Sequence, residues 1–319
     1  LASPRAEVKA GDAQPKDVIF VLDTSGSMQG EKLAQAKAAL RFCLHSLDAR
    51  DRFNVIAFST EVNPWRREPQ PATPAQVAAA ATYITGVTAI GGTNIHGALE
   101  TALYQLTHVP DATGRPPVVV FLTDGLPTIG ETRTDRLLTA VTKWNTRRVR
   151  LFNFGVGADY NAHFLDKLGL ENYGDTENVL PREDIEVKVS DFYTKIATPL
   201  LMNLALDWGA VDVYDMYPKQ LPDLFKGSQL IITGRYKAVG ARECAVRLSG
   251  DIAGKRQTFT YTLHFPASSM DAEHLPRLWA TRKIGYLEEL LRLYGMQKEL
   301  LEVFEQSLTH AGNEQLRLH

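Results

Sequence analysis

Asp23, Ser25 and Ser27 stand at positions i, i+2 and i+4, directly after the unbroken apolar run Val18-Ile19-Phe20-Val21-Leu22. One carboxylate and two hydroxyls are hard oxygen donors carrying little total charge. That set suits a divalent cation such as Mg2+, which keeps some of its waters and an open coordination position. A Ser or Asp cap on the helix that begins near Gly30 accounts for one such residue, not three. Two more oxygen donors occur at equivalent places. Thr93 lies in the glycine-rich turn Ile90-Gly91-Gly92-Thr93-Asn94, and Asp124 follows the run Val118-Val119-Val120-Phe121-Leu122-Thr123 and precedes Gly125. Taken singly, Gly-Gly-Thr and Asp-Gly are ordinary turn chemistry. Together the five residues fall in order at strand-to-helix junctions, and open α/β sheets place their ligands at the carboxyl ends of parallel strands. The expected metal site is therefore Asp23, Ser25, Ser27, Thr93 and Asp124, with Mg2+ as the cation and Mn2+ or Ca2+ as admissible substitutes.

These residues need a scaffold, and residues 17–200 supply the pattern of one. Apolar runs rich in β-branched and aromatic residues at 17–22, 53–58, 118–123 and 149–155 read as strands buried on both faces. Helical spacing marks 31–47 (Leu33, Ala36, Leu40, Cys43, Leu44, Leu47), a segment through Val77, Ala80, Ala81 and Ile84, and another through Ile95, Ala98, Leu99, Ala102, Leu103 and Leu106. It recurs near 134–145, at 161–169 and near 183–198. Strand and helix in alternation predict crossovers onto a mostly parallel sheet. Beyond Pro199 the period becomes two, at Leu204/Leu206/Trp208, Val211/Val213 and Phe259/Tyr261/Leu263/Phe265, with further strands at Leu230-Ile231-Ile232 and Cys244-Ala245-Val246. Residues 201–268 are thus expected to form a small antiparallel β-sandwich. Residues 269–319 are expected to be helical, broken near Gly295, with stripes at Leu287, Leu290, Leu291 and Tyr294 and at Leu300, Leu301, Phe304 and Leu308. Residues 1–16, where Ala6-Glu7-Val8-Lys9 has partial strand character, are expected to complete the sandwich, with the α/β domain of 17–200 inserted between.

Composition narrows the function. A chain of 319 residues with 44% apolar and 23% charged residues suits about two globular domains. Lys+Arg 35 against Asp+Glu 37 gives a net charge of -2, which calls for neither nucleic acid nor an anionic membrane surface. No apolar run approaches the roughly 20 residues that span a bilayer. The chain opens at Leu1 rather than Met, in keeping with a processed or partial chain, so the lack of a signal peptide carries no weight. Cys43 and Cys244 read as buried thiols, and the eight histidines show no zinc-site spacing. His96, near the metal set, is expected to be exposed and not a ligand.

The ordered set Asp-x-Ser-x-Ser … Thr … Asp resembles the von Willebrand factor A (VWA) domain and its metal-ion-dependent adhesion site (MIDAS). The likeness extends further. Asp-Arg-Phe-Asn-Val-Ile-Ala-Phe-Ser (51–59), Trp65-Arg66, Leu-Thr-Asp-Gly-Leu-Pro-Thr-Ile-Gly-Glu (122–131), Asp191-Phe192-Tyr193, Pro199-Leu200, Phe225-Lys226-Gly227-Ser228 and Arg277-Leu278-Trp279-Ala280 are similar to the heavy chains of inter-alpha-trypsin inhibitor and their bacterial relatives. The resemblance implies a Rossmann-like A domain. It implies that Ser25, Ser27 and Thr93 coordinate the cation directly or through water, that Asp23 and Asp124 hold it mainly through bound water, and that a partner's Glu or Asp carboxylate completes the octahedron. It also implies an exported, periplasmic or cell-surface protein. In that family a VIT domain precedes the A domain and a C-terminal segment carries glycosaminoglycan. Neither has a counterpart in these 319 residues, so attachment to hyaluronan is not carried over.

The expected function is therefore a non-enzymatic adhesion-type module that binds a protein ligand through Mg2+. Two alternatives stand beside it. A metal-dependent hydrolase is disfavoured because no P-loop, nucleophile elbow or His/Glu base accompanies the site. An intracellular assembly subunit of a multiprotein machine is disfavoured by the inter-alpha-inhibitor-like segments.

Overall fold

The computed structural model describes residues 14–108, 114–237, 242–267 and 274–295. They divide into two compact units, one within Ala13–Pro199 together with Phe225–Gly227, the other made of the described residues of Leu200–Leu224 and from Ser228 onward. Residues 1–9, expected to form a strand, and the stripe at Leu300, Leu301, Phe304 and Leu308 lie outside the described residues.

In the first unit the chain runs β1 (Asp17–Asp23), α1 (Glu31–His45), β2 (Arg52–Phe58), β3 (Val62–Pro64), β4 (Gln70–Pro71), α2 (Pro74–Gly86), α3 (Ile95–His108), β5 (Pro117–Thr123), α4 (Thr134–Trp144), β6 (Arg150–Val156), α5 (Ala162–Glu171), β7 (Asp175–Val179) and α6 (Ile185–Ile196). The sheet order is β3-β2-β1-β5-β6-β7, with β4 also on β2. Strands β2, β1, β5, β6 and β7 are mutually parallel, while β3 and β4 run antiparallel to β2. All seven residues of β1, of β5 and of β6 are buried, as continuous apolar runs require when helices cover both faces. Val18, Phe20 and Leu22 face a core built with α1, α2 and α6, whereas Ile19 and Val21 face the core of α3, α4 and α5. The architecture is the expected α/β fold with a mostly parallel sheet.

Three sheet strands had no apolar signature to announce them. β3 and β4 lie in the proline-containing loop after β2. β7 reads Asp-Thr-Glu-Asn-Val and forms an edge, where polar side chains guard against further pairing. The chain reaches β7 through Gly174, where an added Cβ would come within 1.8 Å of the Leu151 carbonyl oxygen, so only glycine permits the approach. Phe225–Gly227 belongs to this unit through the Phe225 ring, 6.3 Å from that of Phe152, and through Lys226 N–H donating to the Thr198 carbonyl at 2.9 Å. Both cysteines are buried and unpaired, and burial pushes the Cys43 thiol far up from its ordinary range.

The second unit is antiparallel. Its elements are β8 (Pro199–Asp207, from Leu200 on), β9 (Val213–Tyr217), the Leu224 half of β10 (Leu224–Phe225), β11 (Thr233–Tyr236), β12 (Arg242–Ile252), β13 (Lys255–Phe265) and α7 (His274–Tyr294). They form a four-stranded sheet, β10-β8-β12-β13, and a two-stranded one, β11-β9. The two-residue turn Ala253-Gly254, with φ of 49° and 74°, closes the long β12–β13 hairpin in the way that positive-φ turns fit twisted strands. Two expectations are corrected. Leu230-Ile231-Ile232 is not a strand, because pairing with β9 begins only at Thr233 opposite Tyr217, and Ile231 is left exposed. On α7 Leu287 is buried and Leu290 and Leu291 are half-buried, as expected, but Tyr294 is exposed, and Ala280 and Leu293 are also buried. The helix face is set by contacts of Trp279, whose Nε1–H donates to the Asp215 carbonyl at 2.9 Å, and of Tyr286, 5.5 Å from the Tyr217 ring.

Candidate metal centre

The strand order reverses direction at β1, which has β2 on one side and β5 on the other. Open α/β sheets form a crevice at such a point, outside the carboxyl ends of the strands. Asp23 is the last residue of β1 and Asp124 the first after β5, so residues about a hundred positions apart in sequence meet at this crevice.

The side chains form a connected array. Asp23 is fully buried, and its Oδ1 accepts from the Ser25 backbone N–H at 2.8 Å while its Oδ2 accepts from Thr123 Oγ1 at 2.6 Å. The Ser25 and Ser27 hydroxyls are 3.0 Å apart. Ser27 Oγ donates to Asp124 Oδ1 at 2.7 Å, and Lys32 Nζ donates to Asp124 Oδ2 at 2.6 Å. Thr93, expected at a strand-to-helix junction, lies instead in the loop between α2 and α3 and is buried; its hydroxyl lies 3.5 Å, and that of Ser27 3.8 Å, from where a Cβ on Gly125 would stand. All five residues read from the sequence thus converge, with Asp23, Ser25, Thr93 and Asp124 buried and Ser27 exposed at the mouth.

Helix capping does not explain the serines. Ser25 begins the short 3-10 turn Gly26–Met28 without a side-chain cap, and the cap position of α1 is Gly30, which has none to offer. The loops are held by backbone bonds instead: Gly26 N–H to Gly91 O at 3.0 Å, Ile90 N–H to Thr24 O at 2.9 Å, and Thr128 N–H to Thr93 O at 2.9 Å. Thr128 Oγ1 also accepts from Thr93 N–H at 2.7 Å. Gly91 has φ of 83°, and a Cβ there would meet Thr60 Oγ1 at 2.6 Å, so the turn that carries Thr93 requires glycine twice over.

Burial raises the Asp23 carboxyl to about 6, against the lowering effect of the Thr123 and Ser25 hydrogen bonds and with a smaller upward push from the Asp124 charge. The array is rich in hydroxyls, and no three His, Cys, Asp or Glu residues converge among the described residues. Hydroxyl and carboxylate oxygens in this proportion fit a hard, oxygen-seeking cation and not a soft one.

Two participants were not anticipated from the sequence. Thr123 ends the β5 apolar run as one more strand residue; only the register, with Leu22 opposite Leu122, places it beside Asp23. Lys32 carried no sequence signal at all. His96 is corrected: it is half-buried rather than exposed, its ring 5.2 Å from that of Trp144 and edge-on to it.

Residues 16–175 match the family model described as von Willebrand factor type A domain. Inter-alpha-trypsin inhibitor heavy chain H4 of Homo sapiens is 33% identical over 290 residues, which is 86% of this chain and 31% of that one. Heavy chain H2 of Sus scrofa is 32% identical over 229 residues, 70% of this chain and 24% of its own length. This chain therefore spans about a quarter to a third of the curated relatives it matches. Among solved structures, von Willebrand factor type A from Catenulispora acidiphila superposes with a TM-score of 0.65 at 16% identity, covering 95% of this chain and 81% of that one. The ArnB paralog VWA2 from Sulfolobus acidocaldarius gives a TM-score of 0.53 at 15% identity with the same coverages. At such identities the structural likeness bears on the fold alone.

Proposed function

This chain belongs to the von Willebrand factor type A family, and we propose that it is a non-enzymatic module that binds a carboxylate-bearing protein partner through a divalent cation. The observation that carries this reading is the array of Asp23, Ser25, Ser27 and Asp124, joined by hydrogen bonds at the sheet's switch point with Thr93 alongside. Ser25, Ser27 and Thr93 would hold the cation through their hydroxyls, and Asp23 and Asp124 would support it. The cation is Mg2+, replaceable by Mn2+ or Ca2+. Held mostly by neutral oxygens, it supplies an electrophilic centre that attracts an incoming Glu or Asp.

The rim favours a macromolecular ligand. Ile90, pinned by its backbone to Thr24, is 69% exposed, and Leu126, two residues after Asp124, is 50% exposed. Apolar side chains of that size beside a polar centre are what a protein surface covers. A hydrolytic reading finds no support in His96, the nearest histidine in sequence, which packs on Trp144. Kinship with inter-alpha-trypsin inhibitor heavy chains supports an exported or cell-surface setting, and no helix among the described residues is long and apolar enough to cross a membrane.

Calorimetric titration with Mn2+, paired with binding to acidic-peptide arrays in Mg2+ and in EDTA, tests the proposal. One cation should bind per chain, and peptide capture should vanish with EDTA. A Ser27→Ala/Asp124→Ala variant with undiminished Mn2+ affinity would refute the site assignment, and peptide capture indifferent to EDTA would refute the mode of binding.

A further inference from the structure

Lys32 is the second residue of α1, a place where the helix dipole disfavours a positive charge. Its position answers to something other than the helix. The ammonium lies 2.6 Å from Asp124 Oδ2 and 3.4 Å from the Ser27 carbonyl oxygen. The Asp124 side chain is 0% exposed and that of Lys32 35% exposed, so the pair reaches from the interior to the mouth of the crevice. Both Asp124 oxygens are engaged, Oδ1 by the Ser27 hydroxyl and Oδ2 by Lys32. A buried carboxylate needs such a partner, since an unpaired charge in a desolvated site is strongly unfavourable.

Resting on the metal-site reading above, we propose that Lys32 is the site's resident counter-ion, neutralising Asp124 in the metal-free protein and setting how tightly a divalent cation binds. The ammonium and the cation share one carboxylate, so each disfavours the other. A cation held on the hydroxyl side of Asp124 would face the ammonium as a like charge across that carboxylate. Repulsion between a single and a double positive charge on either side of one carboxylate would, even at the dielectric constant of water, weaken binding by about tenfold. Lys32 thereby keeps the metal-free crevice ordered and makes cation binding reversible over a higher concentration range. It is a positioning and affinity-setting residue, not a ligand.

The test uses Mn2+ as the probe on the full chain, with titration calorimetry and thermal unfolding in EDTA. Lys32→Met should bind Mn2+ about tenfold more tightly than the wild type, while Lys32→Arg, which keeps the charge, should stay within about threefold of it. In EDTA the Lys32→Met variant should melt below the wild type, because Asp124 has lost its partner, and saturating Mn2+ should close that gap. If Lys32→Met does not fold without metal, Lys32→Gln, which can still donate to Asp124, should show the same gain in affinity. Affinity unchanged or weakened in the neutral variants overturns the proposal. A wild-type chain that takes up no Mn2+ at all overturns the metal-site reading, and this proposal with it.

Discussion

Thr123→Val is the sharpest probe of the crevice, because it removes one hydroxyl and leaves the shape of the side chain. Thr123 is 0% exposed and its Oγ1 donates to Asp23 Oδ2 at 2.6 Å. A hydrogen bond to a charged, buried acceptor contributes about 1.5–3 kcal/mol, and no cavity term is added by an isosteric change. For a unit of this size that is a fall in Tm of about 4–10 °C. The effect should depend on pH, with a sign that follows from Asp23. Its carboxyl is raised from 3.8 to about 6 in the folded state. The folded protein therefore holds the Asp23 proton more tightly than the unfolded chain, and ionising Asp23 costs stability, about 3 kcal/mol at most. That cost is fully present above pH 6 and is relieved as pH falls from about 6 towards 3.8. Valine at 123 withdraws a bond that favours the ionised form, so it raises the carboxyl further. The destabilisation should be largest near pH 8 and should shrink by pH 5, where Asp23 is protonated in the wild type and the variant alike. Thermal unfolding in EDTA at the two pH values, with urea titrations to check that m is unchanged, measures it. A ΔTm equal at pH 8 and pH 5, or no destabilisation at pH 8, would refute the reasoning.

Protonation of Asp23 should also oppose the cation, so Mn2+ affinity should be flat above about pH 7 and fall as pH drops below 6; calorimetry across that range would expose an error if affinity rose on acidification. Metal removal should lower Tm, since a cation at a hundred times its Kd stabilises by about 2.7 kcal/mol if it binds only the folded chain, and scanning fluorimetry in Mg2+ and EDTA measures the difference. Gly91→Ala forces a side chain into a φ of 83° and against Thr60 Oγ1, and should cost about 1–3 kcal/mol while weakening Mn2+ binding through displacement of Thr93; denaturant titration and calorimetry give the two numbers. At the opposite end of the sheet, Asp51 holds the buried Lys16 ammonium at 2.5 Å and accepts from the Lys16 and Asp48 backbone N–H groups, each at 2.9 Å. Asp51→Ala should destabilise by about 3–5 kcal/mol without altering metal affinity in whatever protein remains folded, as calorimetry below the shifted Tm would show.

The parts legible in the sequence are those governed by local chemistry. The β1 and β5 runs could be read as doubly buried strands because seven successive buried positions leave no room for alternation. Asp23, Ser25, Ser27 and Asp124 were legible because polar oxygen donors directly after such runs have no packing role, whereas Thr93 was legible only as part of a glycine-rich turn opening a helix and lies in the loop between α2 and α3, not at a strand end. The antiparallel strands around Leu204/Leu206 and Phe259/Tyr261/Leu263 showed their period of two. What remained hidden depends on partners distant in the chain. β7 is polar because it is an edge, and β11 begins at Thr233, not Leu230, because β9 dictates the register. His96 turned from solvent to Trp144, a residue 48 positions away in sequence. Above all, only the pairing of β1 with β5 puts the Thr123 hydroxyl and the Asp124 carboxylate against Asp23 and Ser27, and only the path of α1 carries Lys32 to Asp124. The sequence by itself determined which oxygen donors and which buried strands exist, since those are properties of short segments in water. Tertiary structure decided which donors meet, what charge neutralises them and which side remains open, because strand order and register are set by long-range burial that no local segment encodes.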